Sequence, residues 1–508
     1  MNNLSKIFHE KNSLFDLCMD LQDKKTVLIS GHFNVIHPGH KRFVEYAKSH
    51  GKQLVIALQS DEFLLKKNTN ERYFLESERA NSIASLSEVD YVIILNEMSL
   101  ITLISQLKPD FYVLGSEFRN GLFKEVEVYV NKAKEVGSKV LYHSGEIHYS
   151  TALLLKSNVE LLSEKNIIEF KNACNRQNIN LNHLINNQDI LSNTNILVIG
   201  DSIVDQFIAC DPLGMSSEAP VLALKEIDRK EFIGGAAIVA SHVSALGVNT
   251  FFLSITGDDE AGRFIQREHE KNNIKSFIFL DHERPTTFKI RYMVEAQKML
   301  RVSKLEEKNI SPILETEIIS ALEKIIPDMD GIVVSDFVYG VITPNILKAI
   351  VKIAKHNRVK LFGDIQCSSQ TGNLLKFKNF STLTPTEREV RIALVDKDSG
   401  IEHLAKQIIA ELELDNLIIT LGAEGLIVYE KKENTIISEH FPSLIANPID
   451  VAGAGDAFLA TLSLNICIGK TVMEAAAIGT CAAAISVSRL GNISISANEI
   501  KNYILNIK

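Results

Sequence analysis

Asn195-Ile-Leu-Val-Ile-Gly200-Asp201-Ser-Ile-Val-Asp205 is a continuous run of strand-forming apolar residues that ends on a glycine and an acidic loop. A short run of this kind is how a strand covered on both faces meets its loop. The same pattern stands upstream at Thr26-Val-Leu-Ile-Ser-Gly31, and the two openings divide the chain. Further strand-like runs follow the upstream opening at 52–59, 91–95, 111–114 and 139–143, separated by stretches of helical spacing. Alternation of strand and helix predicts an α/β fold with a doubly wound sheet in each half.

At 508 residues, with 45% hydrophobic and 23% charged side chains, the chain is expected to hold two to four globular domains, with two large α/β units also allowed. A net charge of -9 argues against a nucleic-acid partner, which would call for a basic face. The cysteines are Cys18, Cys174, Cys210, Cys367, Cys467 and Cys481, and no two form a CxxC pair. They read as free thiols in a reducing compartment, so a cytoplasmic protein is expected. Residues 1–15 carry no apolar signal core, and the Ala-rich stretch 474–487 is too short for a membrane span and reads as a buried helix. Between the halves, Leu161, Ile167 and Phe170 have helical spacing, and an Asn-rich stretch follows. The expected division is 1–156, a helical and polar linker at 157–190, and 191–508.

The first strand leads into Gly31-His-Phe-Asn-Val-Ile-His37-Pro-Gly39-His40, followed by an amphipathic run. A helix start presents unpaired N–H groups and partial positive charge, which suits a phosphate. Two imidazoles placed there can stabilise charge on a phosphorus under attack, and Gly39 lets backbone approach closely. A histidine pair in a turn, or a chance metal pair, is the plain alternative; the strand, glycine and helix around it supply the context for the chemistry. The segment resembles the HxGH nucleotidylyltransferase superfamily over roughly residues 24–156. By that resemblance this half is a Rossmann-like domain in which His37 and His40 are catalytic. Gly31, Phe33, Gly39, Lys67, Arg79, Ser150 and Thr151 would bind the nucleotide, and Lys66 or Lys67 would lie in a covering loop. Arg72 also matches the family. Asn34 and His32 depart from its pattern beside the nucleotide, so ATP is expected with CTP as the alternative. A surface salt bridge with Glu76 or Glu78 is the other reading of Arg79, and a plain helix cap that of Ser150-Thr151.

In the second half, Asp205 follows the opening strand and Gly234-Gly235 opens a helical run. Thr420-Leu-Gly422-Ala-Glu-Gly425 ends another strand, and Asp450-Val-Ala-Gly453-Ala454-Gly455-Asp456-Ala-Phe458 opens another helix. Glycines at a helix start can form an anion hole, and a carboxylate beside them can take a proton from a hydroxyl. These four segments, in this order, resemble the ribokinase (PfkB-type) carbohydrate kinases over roughly residues 190–506. The resemblance implies a ribokinase-like α/β domain with a small β lid. Asp456 would be the general base, and Gly453, Ala454 and Gly455 the anion hole. Thr420, Gly422 and Gly425 would line the ATP site. Asp205, Gly234, Gly235 and Arg301 would contact the sugar, and Glu389 would reach Mg2+ through water. One or two of Arg284, Lys289, Arg291 and Arg301 are expected to hold a phosphate; edge charges are the alternative for the rest.

Both halves resemble the bifunctional ADP-heptose synthesis enzymes, with the domain order reversed. Ser217-Glu-Ala-Pro220-Val, Thr286-Thr287 and Ser335-Asp336-Phe-Val-Tyr339-Gly340 carry the kinase-side likeness. Tyr339 and Gln366 stand where that family has lysine, Thr386 where it has asparagine, and Ala452 where it has threonine. The resemblance implies a sugar-phosphate kinase joined to a nucleotidylyltransferase. Its substrates would be sugar phosphates and nucleoside triphosphate, and it would form a homodimer through the kinase domain. The alternatives are a cytidylyltransferase joined to a kinase for another sugar or polyol, and a chain in which one half only binds nucleotide.

Overall fold

The computed structural model describes residues 6–9, 21, 24–66, 74–95, 99–119, 124–143, 159–181, 193–217, 219–295, 297–366, 372–433 and 435–507. The chain divides into two compact units. One holds 1–156 with the segments 394–407 and 429–440; the other holds 157–393, 408–428 and 441–508.

The N-terminal residues build a six-stranded sheet from β1 (Ile7–His9), β2 (Thr26–Gly31), β3 (Gln53–Gln59), β4 (Tyr91–Leu95), β5 (Phe111–Gly115) and β6 (Lys139–His143). Its order is β1-β4-β3-β2-β5-β6, parallel throughout. Side chains alternate along each strand, so β2 sends Leu28 into one core and Val27 and Ile29 into another. Val44 and Ala47 of helix Pro38–Ser49, and Ala80 and Ile83 of helix Glu76–Ala84, fill the core of Val27 and Ile29. Leu103 and Leu107 of helix Ser99–Leu107 and Ala133 of helix Lys124–Glu135 fill the other. Apolar cores on both faces explain why these strands read as unbroken apolar runs.

Two further sheets follow along the chain. The larger is nine-stranded and includes β7 (Asn195–Gly200), β10 (Asn249–Thr256), β11 (Lys275–Leu280), β14 (Gly331–Asp336) and β15 (Lys360–Ile365). Then come β16 (Thr382–Leu383), β17 (Asn416–Thr420), β18 (Leu426–Lys432) and β19 (Thr435–Phe441), in the order β11-β10-β7-β14-β15-β16-β17-β18-β19. Gly200 is forced by the close approach of β7 to β14, since a Cβ there would lie 1.8 Å from the Ser335 carbonyl oxygen. The small sheet, in the order β13-β12-β8-β9, joins β8 (Ser202–Met215), β9 (Leu222–Gly235), β12 (Thr287–Val294) and β13 (Gln297–Lys304). Strands β8 and β9 pair antiparallel, and Asp205 stands opposite Phe232. Helices Ala454–Cys467 and Val472–Val487 are buried on nearly every side, in line with their Ala-rich sequences.

The helix expected within a linker runs over Val159–Arg176 and belongs to the second unit. Phe170 is fully buried with its ring 5.9 Å from that of Phe441, and Asn166 donates to the Ser443 carbonyl at 2.8 Å. Burying an aromatic ring holds this segment as part of a domain rather than as a connector. Among the described residues no helix is long and apolar enough to cross a membrane.

Candidate active sites

In the six-stranded sheet the strand order reverses at β2, which lies between β3 and β5. Open α/β sheets bind ligands beyond the carboxyl ends of their strands at such a reversal. The chain leaves β2 at Gly31 and enters helix Pro38–Ser49 with His37 as its N-cap. The His37 Nδ1 accepts the backbone N–H of His40 at 3.4 Å, so neutral His37 carries its proton on Nε2. Burial and then the neighbouring His40 push His37 down to about 3, which keeps the ring neutral at pH 7. His40 stacks on it, with centroids 3.9 Å apart, and its Nδ1 donates to the Val35 carbonyl at 3.1 Å. Gly39 has a packing reason beyond backbone approach: a Cβ there would lie 3.0 Å from the His37 ring. Phe33, buried and edge-on to His40 at 5.4 Å, has φ 44. A left-handed backbone costs a bulky residue about 1–3 kcal/mol, and such strain clusters at functional sites. Gly31 gives that ring space, since its Cβ would lie 3.2 Å from Phe33.

Arg79 departs from expectation. Its side chain is fully buried, and its guanidinium donates to the Phe74 carbonyl at 2.8 Å, the His32 carbonyl at 2.7 Å and the Asp61 carboxylate at 2.8 Å. It ties the loop after β2 to two helices and presents no face to a triphosphate; nor is it the expected bridge to Glu76 or Glu78. Asn34 joins the same tie, its Oδ1 accepting the Phe74 N–H at 2.8 Å. Arg79→Leu should cost the N-terminal unit roughly 3 kcal/mol, because it leaves a carboxylate and two carbonyls without their donor. Urea unfolding followed in that unit checks this. Lys67, Arg72, Ser150 and Thr151 lie outside the described residues.

In the second unit, helix Ala454–Cys467 begins at Gly453, whose φ of 78 requires the left-handed region. A Cβ on Gly455 would meet nothing within 4 Å, so internal packing does not explain that glycine. Asp456, in the first turn, is buried and pushed up to about 7, by burial first and the nearby Asp205 second, with Lys289 opposing. Its Oδ1 has no hydrogen-bond partner among the described residues.

Asp205 is held from several sides. Arg291 pairs with its Oδ1, and the Asn492 side-chain amide donates to its Oδ2 at 3.2 Å. A Cβ on Gly234 would lie 2.6 Å from that same oxygen, and one on Gly235 would lie 2.3 Å from the Asp201 carbonyl. Asp201 accepts the backbone N–H groups of Phe337, Tyr339 and Val341, which anchors the segment after β14. The cations separate by partner. Arg284 is spent on Asp281 and the carbonyls of Tyr339 and Lys308. Arg301 is exposed, directly opposite Arg291 on β13, and therefore on the same face of the sheet. Lys289 is buried at 4% exposure, and its ammonium lies 5.3 Å from the ring centroids of both Phe337 and Tyr339.

Of the residues expected to line the ATP site, Thr420 ends β17 and donates its N–H to the Pro385 carbonyl at 2.9 Å. Gly422 and Gly425 have φ of 61 and 92, and a Cβ on Gly425 would lie 2.1 Å from the Phe441 carbonyl. Glu389 has a structural duty: its Oε2 accepts the Thr386 N–H at 2.8 Å, and Thr386 Oγ1 accepts the Glu389 N–H at 3.2 Å. This reciprocal pair is a capping box for helix Glu387–Leu394, and Thr386-Glu-Arg-Glu389 spells it in the sequence. Asn492 had no such local signal.

Two family models match the chain. The pfkB family carbohydrate kinase model matches residues 193–499, and a cytidylyltransferase-like model matches 28–211. Their overlap covers β7 and most of β8, which pair within the sheets of the second unit. The chain is 33% identical over 311 residues to the bifunctional protein HldE of Campylobacter jejuni subsp. doylei, covering 61% of this chain and 64% of that protein. To the HldE of Helicobacter hepaticus it is 29% identical over 314 residues, with 61% and 63% covered. It thus spans just under two thirds of the length of these relatives. The crystal structure of Escherichia coli phosphofructokinase-2 in complex with substrates and products shares the fold at a TM-score of 0.50. That similarity has 13% identity and covers 62% of this chain and 99% of that one.

Proposed function

This chain belongs to the pfkB family of carbohydrate kinases, and on that premise we propose that it is a bifunctional enzyme for a nucleotide-activated sugar. Its C-terminal unit phosphorylates a sugar phosphate, and its N-terminal unit joins a sugar 1-phosphate to a nucleotide. Heptose 7-phosphate and heptose 1-phosphate are the substrates favoured by the resemblance to ADP-heptose synthesis enzymes, with ATP serving both sites. A phosphatase step must lie between them, because the first product carries two phosphates. CTP at the N-terminal site is the second reading, favoured by the cytidylyltransferase-like match.

The Asp456 carboxyl carries the kinase reading. It is buried at the start of a helix, next to a glycine that faces open space, with an oxygen that lacks a partner among the described residues. There it takes the proton from a sugar hydroxyl as that oxygen attacks the γ-phosphorus of ATP, whose bond to the β,γ-bridging oxygen breaks to release ADP. The N–H groups of Ala454 and Gly455 offset the charge that develops on the phosphoryl oxygens. Burial, then Glu389 and Asp456, hold the Asp364 carboxyl well above its usual range, so these acids suit a divalent cation, and Asp364 and Glu389 would hold Mg2+ through water. In the N-terminal unit a sugar 1-phosphate oxygen attacks the α-phosphorus and pyrophosphate leaves. His37, His40 and the Gly39 N–H at the start of helix Pro38–Ser49 stabilise the phosphorus under attack.

Lys289 is the cation for the substrate's own phosphate. Arg284 and Arg291 already have protein partners, whereas the Lys289 ammonium is buried beside two rings with no carboxylate at ion-pair distance among the described residues, though it is near enough to Asp456 to oppose the rise of that carboxyl. A buried charge requires an opposite one. Exposed Leu213, Met215, Leu222, Ile227 and Leu300 on the small sheet would be covered by a second copy in a homodimer. Lys289→Met should raise KM for heptose 7-phosphate about 10- to 100-fold while KM for ATP stays within about twofold, as loss of one charged hydrogen bond implies. Steady-state kinetics with each substrate varied in turn checks this; an unchanged KM for the sugar phosphate would remove Lys289 from the site.

A further inference from the structure

We infer that Asn492 is a sugar-binding residue of the kinase site, holding Asp205 with its amide N–H and receiving a substrate hydroxyl at its amide oxygen. The inference rests on the kinase reading and adds a residue to it. Asn492 lies 287 positions from Asp205 in sequence, yet its Nδ2 donates to Asp205 Oδ2 at 3.2 Å. A carboxylate only accepts, so the group facing Asp205 is the NH2, and the amide oxygen points elsewhere. That oxygen is buried and has no hydrogen-bond partner among the described residues. It lies against the start of the helix that carries Asp456: a Cβ on Gly453 would stand 2.6 Å from it.

Among the described residues, Asp456 and Asn492 therefore each leave a buried oxygen without a partner. Buried polar atoms are paired in native proteins, and unpaired ones mark places where another molecule completes the set. A sugar offers hydroxyls on adjacent carbons. The reacting hydroxyl suits the Asp456 oxygen, and a neighbouring one suits Asn492 Oδ1. The ligand class is a polyhydroxylated acceptor that presents at least two neighbouring hydroxyls.

The position of Asn492 is built rather than incidental. Gly491 has φ 79, and a Cβ there would lie 2.6 Å from the Phe232 ring, which stands opposite Asp205 in the β8–β9 pairing. On the other side, the Ile495 N–H donates to the Nδ1 of the buried His242 at 3.2 Å. The loop is thus pinned before and after Asn492.

The test is the ADP-release kinetics of the full chain with heptose 7-phosphate, in wild type, Asn492→Leu, Asn492→Ser and Asn492→Asp, with thermal unfolding of each. Asn492→Leu should raise KM for the sugar phosphate about 10- to 100-fold and leave KM for ATP within about twofold. Asn492→Ser keeps a small polar group and should show the same split if the leucine variant does not fold. In Asn492→Asp a second carboxylate faces Asp205, so the KM defect should shrink as pH falls and that acid regains a proton; a role in packing alone would not respond to pH. A wild-type KM in the leucine and serine variants would overturn the assignment while leaving the kinase reading intact. A wild-type chain that phosphorylates no member of a panel of sugars and sugar phosphates would overturn both.

Discussion

Asp456→Asn lowers ADP release by about 10²- to 10⁴-fold, the range that a positioned general base contributes. The side chain keeps its size, so the helix start and its N–H groups remain; what is lost is the ability to take a proton. The pH profile tests the role independently. Burial, then Asp205, pushes Asp456 up to about 7, and the base works only when ionised. The wild-type kcat/KM should therefore climb with pH and level off above about 7, and the variant should lose that limb. Stability should move the opposite way. A carboxyl whose folded pKa exceeds its ordinary 3.8 contributes stability that is present below about 4 and lost as pH rises through about 7. Asp201, also pushed to about 7, by burial and then Asp336, acts in the same direction. Asp456→Asn should thus unfold at a higher temperature than wild type at pH 8, the usual exchange of activity for stability at a catalytic position.

His37→Ala lowers pyrophosphate release by about 10²- to 10³-fold, the loss expected when one preorganised donor at a developing charge is removed. It also removes the cap that accepts the His40 N–H, which costs about 1 kcal/mol. His37→Asn separates the two effects, because asparagine caps a helix well but cannot place a donor where the imidazole Nε2 stands. That variant should keep the unfolding midpoint and lose the activity. Since His37 titrates near 3, no limb of the nucleotidyl-transfer profile between about pH 5 and 8 should belong to it. Neither variant should change ADP release.

The alternation of apolar runs was enough to place β4 and β6 residue for residue and β2 and β7 by their terminal glycines. Strands covered on both faces leave little ambiguity in composition. The histidine pair and the glycine-flanked Asp456 were legible because strand, turn and helix start are local patterns. Arg79 was misread although a signal was present: it shares a buried face with Ala80, Ile83 and Ala84, where a surface arginine would not fall. Thr386 and Glu389 also have the spacing of a capping box, a structural duty that stands beside the Mg2+ role the resemblance implies for Glu389. Tyr339, in place of a family lysine, has a packing role: its buried ring backs the Lys289 ammonium. Nothing local could have shown that Asn492 reaches Asp205, or that Phe33 takes a left-handed backbone. Both follow from tertiary packing.

The central claim is that one chain holds two independent transferase sites. Its most direct test follows ADP and pyrophosphate separately when the protein meets ATP with heptose 7-phosphate and ATP with heptose 1-phosphate, in wild type, Asp456→Asn and His37→Ala. The account predicts ADP only with the first sugar and pyrophosphate only with the second, each lost in one variant and kept in the other. Loss of both products in a single variant, or pyrophosphate with no ADP from any sugar phosphate, would contradict it.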